Sequence, residues 1–100
     1  MVKLVALFKT PDSVAEFDAY FFGTVVPLLK GLKGVQSVET TRVTGAPFGE
    51  SKYHIMAELF FADRNAMDAA LASGEGKSLA RNLLRLAPDV AALFHGEVQN

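Results

Sequence analysis

The chain contains no cysteine. That excludes disulfides, thiol nucleophiles and thiolate metal sites, and it is compatible with a reducing compartment. Histidine is scarce too: His54 and His95 are the only two. They lack the spacing of a metal-ligand pair, so a haem or zinc site has weak support, and neither a metal nor a cofactor is expected. A basic excess is missing, since 10 Lys and Arg face 11 Asp and Glu for a formal net charge of −1. Binding a phosphate backbone requires more positive charge, which argues against nucleic acid as a partner. Long apolar runs are also lacking. Nothing approaches the roughly 20 residues that cross a bilayer, and the apolar start from Val2 to Phe8 ends at Lys9 without a small-residue cleavage site. The expectation is a cytoplasmic protein with no membrane segment.

What remains is rich in core-forming residues. Half of the 100 residues are hydrophobic, 21% are charged, and eight of the ten aromatics are Phe. A chain of this length forms one domain, here residues 1–100, and buries roughly two-thirds of the surface that its unfolded form exposes. The apolar supply is large enough to serve a subunit interface as well as a core.

Val2 to Lys9 reads as a first strand, stopped by the turn residues Thr10, Pro11, Asp12 and Ser13. Ser13 with Glu16 forms a capping box that starts a helix. On that helix Val14, Phe17, Phe21, Val25, Leu28 and Leu32 fall on one stripe, with Asp18, Lys30 and Lys33 off it. Pro27 lies inside the helix. An interior proline removes a donor and collides with the carbonyl four residues back, that of Gly23, at about 3 kcal/mol or more if nothing relieves it.

Gly31 and Gly34 let the chain leave the helix for a strand over residues 35–43, and the 44–51 stretch is a loop able to cover a site. Tyr53 to Phe61 is a third strand. Asp63 caps a second helix that ends at Ser73 and Gly74; a short helix follows over residues 77–86, and Pro88-Asp89 precedes a fourth strand over 90–98. The order βαββαβ predicts an α+β, ferredoxin-like fold, an antiparallel four-stranded sheet with its helices on one face. On the third strand Tyr53, Ile55, Ala57, Leu59 and Phe61 alternate with His54, Met56, Glu58 and Phe60, and neither set looks made for water. The second sheet face is therefore expected to be buried against another copy, as a homodimer.

Three stretches, Phe17 to Val35, Tyr53 to Phe61 and Ala69 to Gly76, together resemble the EthD family, which takes its name from a protein of ethyl tert-butyl ether degradation. The resemblance spans nearly the whole chain and implies the dimeric α+β barrel. Members of that wider fold include methylmuconolactone isomerases and polyketide cyclases, handlers of small hydrophobic molecules, and some relatives bind haem. The family often shows a helix motif like Thr-His-Val-Pro-Leu. Here the matching residues are Thr24, Val25, Val26, Pro27 and Leu28, so a role resting on that histidine does not carry over. Tyr53, His54 and Glu58 do match the family's strand pattern.

These residues support three readings. In the first, a small apolar or aromatic metabolite binds in a helix-to-sheet cavity lined by Phe17, Tyr20, Phe21, Thr24, Val25 and Tyr53, in a role accessory to oxidative degradation. In the second, an isomerase or cyclase uses His54 for proton transfer, with Glu58, two pleats along the same strand face, or Tyr53 orienting the reactants. The third is a dimer without a ligand, in which His54 and Glu58 belong to a paired polar cluster with Lys3, Arg42, His95 or Glu97. The Gly74-Glu75-Gly76-Lys77-Ser78 run resembles the end of a phosphate-binding loop. Leu71 stands where that loop needs its first glycine, and the preceding residues are helical, so the match is a decoy.

Overall fold

A computed structural model describes all residues, 1–100. The elements are β1 (Val2–Lys9), α1 (Val14–Tyr20), a π-helical turn (Phe21–Val25), α2 (Val26–Lys30), β2 (Ser37–Arg42), β3 (Tyr53–Phe61), α3 (Arg64–Ala72), α4 (Gly74–Leu83), a 3-10 turn (Leu84–Asp89) and β4 (Val90–Glu97). The strands form one antiparallel sheet in the order β2-β3-β1-β4. This is the ferredoxin-like arrangement expected from the sequence.

The proline is accommodated by the turn that precedes it. Val26 N–H donates to the Phe21 carbonyl five residues back rather than four, which widens the helix by one residue just before Pro27. Pro27 then occupies the first turn of α2, where a missing donor costs little. The extra residue also rotates the buried stripe. Phe17, Phe21, Val25, Val26, Leu29 and Leu32 are buried, whereas Leu28 is only half-buried and Val14 is exposed. Leu29 therefore takes the core position that a regular helix would give Leu28.

Side chains cap the helix starts. Ser13 Oγ accepts from Glu16 N–H, and Asp63 Oδ1 accepts from Ala66 N–H at 2.8 Å. Ser73, expected to end a helix, both ends α3 and caps α4, its Oγ accepting from Gly76 N–H. The phosphate-loop decoy is thus a helix start. Gly76 is required by close approach: a Cβ there would overlap the carbonyls of Ala70 and Leu71. Gly34 leaves the helix with φ +91°, a conformation that glycine adopts without strain.

The core lies between the helices and one sheet face, centred on Phe8, Phe21, Ile55, Phe61 and Met67. Phe8 meets Phe17 and Phe21 edge-on, with centroids 5.5 and 5.4 Å apart. On the other sheet face Leu7, Met56 and Phe60 are half-buried and Phe94 is half-exposed. Lys3 and Glu58 form an ion pair at 2.8 Å on this same face. No helix is long and apolar enough to cross a membrane.

Candidate functional site

Three concave features stand near the predicted residues, and one of them includes a residue at a break in strand pairing. Phe8 pairs with Ile55 and Lys9 with Tyr53, so one step of β1 faces two residues of β3, and His54 is the extra residue. A bulge of this kind interrupts the alternation of side chains. His54 and Ile55 are buried in succession, and the His54 ring lies on the helix side, edge-on to Phe17 with centroids 5.5 Å apart.

There its Nε2 lies 2.7 Å from Asp18 Oδ1, while Arg42 Nη1 donates to Asp18 Oδ2 at 3.0 Å. Arg42 also lies over the Phe22 ring. Burial pushes the Asp18 carboxyl up, but hydrogen bonds from His54 and Arg42, with the charges of both, outweigh it and hold the carboxyl below its ordinary value. An ionised carboxylate only accepts, so Nε2 carries the hydrogen, and whenever the ring is neutral its lone pair is at Nδ1. No protein group bonds Nδ1, and no polar atom of a buried side chain is sealed away without a partner, so Nδ1 is accessible.

The expected pairing of His54 with Glu58 is therefore corrected. The bulge moves His54 to the helix side, and Glu58 remains on the opposite face with Lys3. Asp18, the actual partner, comes from α1. Sequence reading placed it off the core stripe and passed over it; only the bulge at His54 makes the two meet. Of the polar cluster considered above, Lys3 pairs with Glu58 and Arg42 with Asp18.

His54 and Tyr53 line an open polar pocket of about 360 Å³ together with Thr10 and the loop residues Thr44, Glu50 and Ser51. The second feature is an apolar cavity of about 200 Å³ between α4, the π-helical turn and the sheet, in which 13 of 14 lining residues are hydrophobic. Phe21, Val25 and Leu29 wall one side, Leu79 and Leu83 another, and Ala57 lies on the sheet floor. Leu93, which is 63% exposed, lies on its open side.

The six residues proposed for one cavity are thus divided. Phe21 and Val25 line the apolar cavity and Tyr53 lines the polar pocket. Phe17 and Tyr20 border a surface groove near Arg85 and Pro88, and Thr24, half-buried, lines none of these. The Tyr20 hydroxyl donates to the Asn82 carbonyl at 2.8 Å, and the Arg85 guanidinium stacks 4.4 Å from its ring. Tyr20 joins α1 to α4.

No family model matches the chain, and no curated protein does. Solved structures do. A DABB family protein with a ferredoxin-like fold from Mesorhizobium loti is 20% identical, with 99% of this chain and 96% of that one covered and a TM-score of 0.74. SnoaB, a cofactor-independent oxygenase from Streptomyces nogalater, is 19% identical over 99% of this chain and 91% of its own, with a TM-score of 0.67. At these identities the likeness concerns the fold. An ethyl tert-butyl ether degradation (EthD) family protein from Bacillus halodurans is 32% identical, covers 99% of both chains and superposes with a TM-score of 0.94. By that identity over its full length, the chain belongs to the EthD family.

Proposed function

We propose that this protein binds a small apolar or aromatic metabolite in the cavity between α4, the π-helical turn and the sheet, in a role accessory to an oxidative pathway. The observation that carries the reading is the cavity's lining of Phe21, Val25, Leu29, Leu79 and other hydrophobic residues. A cavity of about 150 Å³ with such a lining stays dry and accepts benzene, so about 200 Å³ suits a substituted ring. Val25 stands where family members often carry a histidine, which makes this wall apolar. The name of the EthD relative and the oxygenase activity of SnoaB support the oxidative setting.

The binding unit is a homodimer joined through the open sheet face. Leu7, Met56, Phe60 and Phe94 give that face an apolar surface that a second copy would cover. Relatives described as dimeric ferredoxin-like proteins support this reading. Native mass spectrometry of freshly purified protein tests both parts. The expected spectrum shows a dimer carrying a small organic mass that Val25→Phe removes. A monomer at micromolar concentration contradicts the dimer, and retention of the same mass by a folded Val25→Phe variant contradicts the cavity.

A further inference from the structure

We propose that Asp18 and His54 form a proton-transfer pair serving the polar pocket that His54 and Tyr53 line with Thr44, Glu50 and Ser51, a second site separate from the apolar cavity, for small neutral molecules with an acidic O–H such as enols or phenols. Four observations converge on this site. His54 is 8% exposed, yet its Nδ1 has no protein partner and is not sealed off. Its Nε2 is fixed by Asp18 at 2.7 Å, which sets both the tautomer and the ring plane. Asp18 is in turn held by Arg42, so the carboxylate cannot swing away without losing two bonds. Finally, the pocket that His54 lines has space for a small molecule.

The lining selects the chemistry. Thr10, Thr44 and Ser51 contribute hydroxyls, Glu50 contributes a carboxylate, and neither Lys nor Arg lines the pocket. A neutral proton donor is favoured there over an anion. The step moves one proton. The substrate O–H bond breaks, its electron pair stays on oxygen, and the proton goes to Nδ1; the resulting imidazolium keeps its Nε2–H on the Asp18 carboxylate. For an enol, the oxygen pair then forms the C=O bond while the C=C pair takes the proton back from Nδ1 at carbon, an isomerisation to the carbonyl form that consumes no other reactant; for a phenol the proton returns to oxygen. His54 is the catalytic base and Asp18 its positioning residue. The groups that influence it are Asp18 and Arg42 from the helix side and Glu50 and Tyr53 in the pocket.

Long-range proton–nitrogen NMR of isotope-labelled protein reads each His54 nitrogen directly, with para-nitrophenol as the proton-donor probe. In the free neutral state the proton is expected on Nε2, with Nδ1 bare. Adding para-nitrophenol should protonate Nδ1 while the yellow phenolate grows in step, and His54→Gln should abolish both. Asp18→Asn removes the charge at nearly constant shape. It should populate the Nδ1–H tautomer and lower bound phenolate about tenfold at fixed pH, and this second change is one that a purely structural Asp18 would not produce. The wild-type spectra decide the matter even if a variant misfolds. A proton on Nδ1 in the free neutral protein, or His54 nitrogens unmoved at the solubility limit of para-nitrophenol, would overturn the proposal.

Discussion

His54 and Asp18 lie 36 positions apart in the chain and meet at 2.7 Å, because the β3 bulge brings the imidazole round to the helix that carries the carboxylate. The contact ties the end of the sheet to α1, and Arg42 of β2 closes it from the far oxygen. One carboxylate thereby links three elements.

This linkage has a pH consequence. The Asp18 carboxyl is lower in the folded than in the unfolded chain, so its contribution is complete above the ordinary aspartate pKa of about 4 and is lost as pH falls through the lowered folded value. Asp18→Asn should flatten the acid side of the stability curve and lower stability at neutral pH. Urea unfolding midpoints measured from neutral pH down to about pH 3 check this; a variant whose acid slope equals that of the wild type contradicts the assignment.

The aromatic core should dominate stability. Phe21 is fully buried against Phe8, Phe17 and Phe22, and Phe21→Ala should cost about 3–5 kcal/mol. Phe48 is fully exposed in the loop before β3, and Phe48→Ala should change stability by no more than about 0.5 kcal/mol. Denaturant titration of both variants makes the comparison.

Pro27 offers a sharper test of helix physics. If the proline were strained, Pro27→Ala would stabilise the protein by about 3 kcal/mol. With the π-helical turn supplying the relief, the change should stay under about 1 kcal/mol. A gain near the larger value in thermal or urea unfolding would show that the turn does not relieve the proline.

Gly76→Ala should destabilise by about 1–3 kcal/mol, although alanine is ordinarily the better helix former by about 1 kcal/mol. The new methyl group would meet the Ala70 and Leu71 carbonyls of the preceding helix, and backbone cannot step aside cheaply. Gly74, at the open start of α4 with no neighbour near a built Cβ, is the control and should tolerate alanine.

Element order and the sheet's two faces were legible because strand alternation, turn residues and the Ser13 and Asp63 caps all act within a few positions. The features that place the site act over longer distances. The one-residue offset that buries Leu29 in place of Leu28 comes from a backbone hydrogen bond between Val26 and Phe21, which no side-chain pattern announces. The turn of His54 to the helix side depends on how β3 registers against β1, and no Gly or Pro next to His54 signals a bulge. Alternation alone therefore paired His54 with Glu58 and passed over Asp18. The cavity residues Phe21 and Val25 were visible because the i, i+4 spacing of buried residues persists to the last residue of the widened turn. Leu79 and Leu83 across the cavity were visible only as a helix face, without the space they enclose.

The central claim is that the apolar cavity holds a small apolar molecule. Methyl NMR during titration with toluene tests it most directly, because Val25, Leu29, Leu79 and Leu83 all carry reporter methyls on the cavity wall. Saturable shifts confined to these methyls, and absent from a folded Val25→Phe variant, are the predicted result. Wall methyls unmoved at toluene saturation, or shifts that persist in the filled variant, would contradict the account.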